Sequence, residues 1–131
     1  MTPLRTVLAA LVIGLLFCAP DASAQEKMFG TEVVEPGVEF TFLAAPKDDV
    51  NPQAQNLAEN QTDIHLEVLA AWTAEASTSL GAAEGGFVPY LHLFAHVTNE
   101  ETGQTKKVSL VPHINTSDNA HYARNIALPG A

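Results

Sequence analysis

The feature that most limits this chain's fold is a period of two in its hydrophobic pattern. Val38, Phe40 and Phe42 alternate with Glu39 and Thr41, and Ile64, Leu66 and Val68 alternate with His65 and Glu67. Leu91, Leu93, Ala95 and Val97 alternate with Tyr90, His92, Phe94 and His96. Successive side chains on a strand point to opposite faces, so this pattern predicts strands. No long amphipathic helix and no internal repeat interrupts it. Strands are expected at Val38–Ala45, Thr62–Trp72, Phe87–Thr98 and Lys106–Ile114, with a fifth starting at Tyr122. Pro36-Gly37 reads as the turn before the first, and Asn99–Thr105 as a hairpin turn between the third and fourth. Pro46–Gln61 reads as a long polar surface loop with a helical turn near Gln53–Glu59, and Glu75–Gly86 as a Gly/Ala/Ser-rich connection. Strands separated by turns, without intervening helices, predict an antiparallel β-sandwich.

The first residues have a different character. Arg5 precedes an apolar run from Val7 to Phe17, and Ala22-Ser23-Ala24 has the small–x–small pattern of a cleavage site. The run is shorter than the ~20 apolar residues a membrane span needs. Residues 1–24 are therefore expected to be a secretory signal peptide, and 25–131 one extracytoplasmic domain. Phe17 stands before Cys18 where a lipoprotein signal has a small residue. Cleavage would remove the lone cysteine and leave Met28 as the only methionine, which suits an oxidising compartment. Any metal site in the domain must then use nitrogen and oxygen donors, with at most one thioether. The domain is expected not to insert in a membrane once the signal is cleaved.

Charge narrows the function classes. The chain carries 15 acidic and 6 basic side chains, a net charge of −9, which disfavours nucleic acid and anionic membranes as partners and attracts cations. No nucleophile elbow, P-loop, dinucleotide-binding glycine motif or H-E-x-x-H is present, so no enzyme is expected. Asn60-Gln61-Thr62 and Asn115-Thr116-Ser117 match the glycosylation sequon, which matters only in a host that glycosylates.

All five histidines fall between positions 65 and 121. His65 and Glu67 share one strand face, ~6.7 Å apart along the chain. Imidazole with carboxylate suits Zn(II), Fe(II) or Cu(II). On its own, the pair reads more simply as a polar strand face. His113 and His121 flank the loop 114–120 and are placed to fold back toward each other. His121 sits beside Tyr122, and Asp118 and Asn119 are placed to cap the turn or orient an imidazole. The alternative makes both histidines surface or turn residues. His92 and His96 are ~13 Å apart on one strand, too far to share a metal, and are expected to line a sandwich face or a subunit contact.

Three segments together resemble a known family: Thr62–Val68 (TDIHLEV), Phe87–Leu93 (FVPYLHL) and residues 111–130 (VPHINTSDNAHYARNIALPG). The chain is similar to the periplasmic iron-transport proteins. That resemblance implies an immunoglobulin-like β-sandwich, usually homodimeric, that binds a divalent metal beside a membrane iron permease. It implies His65, Glu67, His113 and His121 as ligands, with Asp118 and Tyr122 supporting them. His113 stands where the family has a methionine, and the Gly-Pro before the loop histidine is missing. A later family segment supplying a further histidine has no counterpart, so the chain is expected to be C-terminally truncated. The expected cargo is Fe2+. A periplasmic Cu2+ or zinc carrier, or a non-metal adhesion or assembly module, are the alternative functions.

Overall fold

A computed structural model describes residues 26–115 and 119–130. The expected leader and Asp118 lie outside the described residues. The fold is all-β and sandwich-like, as the alternation predicts. Six strands run in the order β1-β2-β3-β6-β5-β4: β1 (Lys27–Val34), β2 (Val38–Pro46), β3 (Ile64–Trp72), β4 (Leu93–Thr98), β5 (Thr105–Asn115) and β6 (Asn119–Ile126). Every pairing is antiparallel.

β5 makes the structure layered. Its first half pairs Leu110 to Thr105 with Leu93 to Thr98 of β4, and its second half pairs Val111 to Asn115 with Ala123 to Asn119 of β6. The switch falls between Leu110 and Val111, one residue before Pro112. Proline donates no hydrogen bond, so it marks a place where a ladder changes partner. The β4–β5 hairpin closes over one face of the main sheet. Val108 and Leu110 from the hairpin bury against Val68, Ala70, Tyr122 and Ile126 from β3 and β6. Each such aliphatic side chain taken out of water stabilises the fold by ~1.5–3 kcal/mol.

Three elements differ from expectation. β1 was not expected as a strand. The register shifts between Met28 and Gly30, and this bulge breaks the alternation that would have revealed it. Residues Ala74–Leu80, expected to be irregular, form a helix. The Thr73 hydroxyl accepts from the Ala76 amide at 3.3 Å, and Gly81 closes the helix in a left-handed conformation. The expected third strand is shorter: only Leu93–Thr98 pairs continuously, and Phe87 makes an isolated bridge to Ala71. Pro89, followed by Tyr90 at φ 64°, interrupts the segment between them.

Gly37, in the β1–β2 turn, has φ 110° and touches that helix. A Cβ there would stand 2.7 Å from Thr73 Oγ1 and 2.9 Å from Ala76 Cβ. Only glycine fits. The helical turn expected near Gln53–Glu59 is present as a 3-10 turn at Gln53–Gln55 and a helical turn at Leu57–Asn60.

Candidate metal centre

β3, β6 and the second half of β5 lie side by side, and their registers put the histidines together. His65 pairs with Asn125, Glu67 with Ala123, and His113 with His121. Alternation then places His65, Glu67, His113, His121 and Asn125 on one face, opposite the core. His65 is 2% exposed, Glu67 5% and His121 0%. The outward, solvated face expected for His65 and Glu67 is therefore an interior one. Both faces of β3 are covered.

Ligand-capable nitrogens of His65, His113 and His121 all lie within 4.8 Å of one another. A tetrahedral centre with ~2.1 Å bonds needs roughly 3.4 Å between nitrogens, so small side-chain movements would bring the three to that spacing. His113 Nδ1 and His121 Nε2 already share a hydrogen bond at 2.9 Å, which a cation would replace.

Hydrogen bonds settle which nitrogen His65 offers. Its Nδ1 lies 2.8 Å from Asn125 Oδ1. An amide oxygen only accepts, so Nδ1 carries the proton and Nε2 carries the lone pair. The amide's orientation is fixed independently. Asn125 Nδ2 donates to the Asp48 carbonyl at 2.6 Å, and the Asp48 amide donates to Asn125 Oδ1 at 3.2 Å. His65 Nε2 is buried with no hydrogen-bond partner among the described residues. A buried polar atom left this way costs ~1–3 kcal/mol, and a bound cation would remove that cost.

Glu67 does not join the three-imidazole group. Its Oε1 stands 3.6 Å from His121 Nδ1, while His121 Nε2 faces His113. A carboxylate on one ring nitrogen favours a proton there and the lone pair on the other. Tyr122, expected to support the ligands, points the other way, as its place between His121 and Ala123 dictates. Its hydroxyl donates to the Val88 carbonyl at 2.9 Å and accepts from the Leu91 amide at 3.0 Å, and its ring stacks on Phe87. It anchors the Phe87–Leu91 segment. His96 is exposed on β4 opposite Lys107, and His92 is exposed just before that strand. Neither reaches the cluster.

Asn125 and Asp48 were missed. Asn125 was legible from β6, because His121, Ala123 and Asn125 alternate on one face; starting that strand at Tyr122 hid the pattern. Asp48 sits in the Pro46–Gln61 loop, where no periodicity points at it.

Fold and site together define a β-sandwich protein with an imidazole cluster fit to hold a metal ion. The family model described as Fe2+ transport protein matches residues 23–131, and the chain belongs to that family. It is a family of metal transport and binding, not of catalysis. A UPF0423 protein of Brucella abortus is 30% identical over 123 residues, which is 93% of this chain and 66% of that protein; the chain thus spans just under two thirds of that relative's length. Copper-reconstituted P19 of Campylobacter jejuni is 29% identical with a TM-score of 0.68, covering 79% of this chain and 63% of that one. A copper-bound variant of FetP from uropathogenic Escherichia coli strain F11 has the same TM-score at 23% identity, covers 81% of this chain and 69% of that one, and shows the shared fold.

Proposed function

We propose that this protein binds a divalent metal in the periplasm, with iron as its cargo, and delivers it to a membrane iron permease. His65 Nε2, His113 Nδ1 and His121 Nε2 would hold the ion. Glu67 would steady His121 and place a buried negative charge beside the cation. Family membership supports iron as cargo. No helix among the described residues is long and apolar enough to cross a membrane, which fits a carrier working beside a permease rather than as one. The resemblance supports a homodimer as the working form.

One observation carries this reading: three imidazole nitrogens converge within 4.8 Å, and one of them, the buried Nε2 of His65, has no hydrogen-bond partner among the described residues. Mn(II) as an Fe(II) surrogate should bind the wild type, and His121→Ala should bind at least tenfold more weakly. Equal affinity in the two proteins would remove His121 from the site.

Copper(II) transport is a second reading, favoured by the copper bound in the P19 and FetP structures and by the affinity of imidazoles for Cu(II). Metal content of protein taken from its native compartment separates the two.

A further inference from the structure

The Pro46–Gln61 loop is more than a connection. Asp48 is fastened to Asn125 by two backbone hydrogen bonds, at 3.2 and 2.6 Å. The same Asn125 side chain holds His65 Nδ1. One buried amide thus fixes both the orientation of His65 and the place of Asp48. The Asp48 side chain, left out of that clamp, extends toward His65: Oδ2 stands 3.8 Å from His65 Nε2, the buried nitrogen without a hydrogen-bond partner among the described residues. A cation bonded to both atoms at ~2.1 Å needs them roughly 3.0–3.4 Å apart, so about half an ångström of movement brings this pair to that spacing, and the carboxylate, which stands outside the 4.8 Å imidazole group, must also turn toward His113 and His121. The loop is tied down further at its far end. The Asn60 side chain bonds the Val50 backbone in both directions at 3.0 Å, and the Lys47 ammonium reaches the Asn60 carbonyl.

We propose that Asp48 is the fourth protein ligand of the centre, carried on a loop that the Asn125 clamp holds in place. This rests on the metal-binding reading above. The side-chain burials differ in a useful way: 3% exposed for His65 and 41% for Asp48. The carboxylate therefore stands between the buried imidazoles and solvent, where an arriving hydrated cation meets it first. Three neutral imidazoles and one carboxylate oxygen form a donor set suited to Fe(II) and Mn(II), harder than three imidazoles alone.

Because the clamp uses Asp48 backbone atoms, Asp48→Asn and Asp48→Ala leave it intact. Both variants should melt within about 4 °C of the metal-free wild type, since a part-exposed side chain away from the core adds little to stability. Mn(II) affinity, read from the EPR signal of free Mn(II), should fall at least tenfold in both. Cu(II) affinity should fall less, because imidazoles dominate its binding. His121→Ala runs alongside as the control on the centre itself. If His121→Ala loses Mn(II) while both Asp48 variants bind within twofold of wild type, the centre stands and Asp48 is not its ligand. If wild type binds neither Mn(II) nor Cu(II), the metal reading and this inference both fall. A large drop in the melting temperature of the Asp48 variants would make the residue structural and overturn its assignment as a ligand.

Discussion

Replacing Asn125 with alanine should damage both the fold and the metal centre, by amounts the structure allows one to work out. The side chain is 3% exposed and makes three hydrogen bonds: 2.8 Å with His65 Nδ1, 2.6 Å to the Asp48 carbonyl and 3.2 Å from the Asp48 amide. Each is worth ~1 kcal/mol net, and the buried His65 N–H left unpaired adds to the loss, so the cost is about 3–4 kcal/mol. In a domain near 100 residues, ~1 kcal/mol moves the melting temperature by ~4–8 °C, so the expected drop is roughly 12–32 °C. Metal affinity should fall ~10–100-fold as well, because His65 loses the bond that fixes its tautomer and the loop loses its clamp. Asn125→Asp separates the contributions. It keeps an acceptor for His65 Nδ1 but sets a carboxylate against the Asp48 carbonyl. It should be more stable than the alanine variant and less stable than wild type. Thermal melts and urea titrations read the first effect, and Mn(II) titration the second. An Asn125→Ala protein that melts within about 2 °C of wild type would refute the claim that this amide organises the site.

Other perturbations test other parts of the account. Tyr122→Phe removes two hydrogen bonds to the Phe87–Leu91 segment and should cost about 2 kcal/mol in denaturant melts, yet leave metal affinity unchanged because the ring faces the core. Gly37→Ala forces a side chain into a left-handed conformation against Thr73 and Ala76, and thermal melts should show a loss of roughly 2–4 kcal/mol. Affinity should fall as pH drops, since imidazole must be unprotonated to ligate. Binding at pH 5.5 should be at least tenfold weaker than at pH 7.5 in calorimetric titrations, as expected for a site of several imidazoles.

Much of the fold was legible because burial imposes alternation. Ile64, Leu66 and Val68 mark β3, and Leu93, Ala95 and Val97 mark β4, since each strand turns one side to the core. β1 escaped because its bulge at Met28–Gly30 destroys the period, and because an edge strand has little buried surface to impose one. The helix at Ala74–Leu80 escaped because Ala, Ser and Thr carry no apolar stripe; its signals were the Thr73 cap and Gly81. At the site, His113 and His121 were legible as partners because a hairpin folds them onto each other. The burial of His65 and Glu67 was not, because a polar residue on a strand signals an outward face unless other polar groups cover it. What covers His65 is in part Asp48, 17 positions earlier, held by Asn125, 60 positions later. Contacts of that range leave no periodic trace.

The central claim is that His65, His113 and His121 hold one divalent cation between them. X-ray absorption at the metal edge of the Mn(II)- or Cu(II)-loaded protein counts imidazole ligands directly. The account predicts one ion per chain with three imidazoles around it, falling to two in His113→Ala. An ion coordinated by oxygen alone, or an unchanged spectrum in that variant, would contradict it.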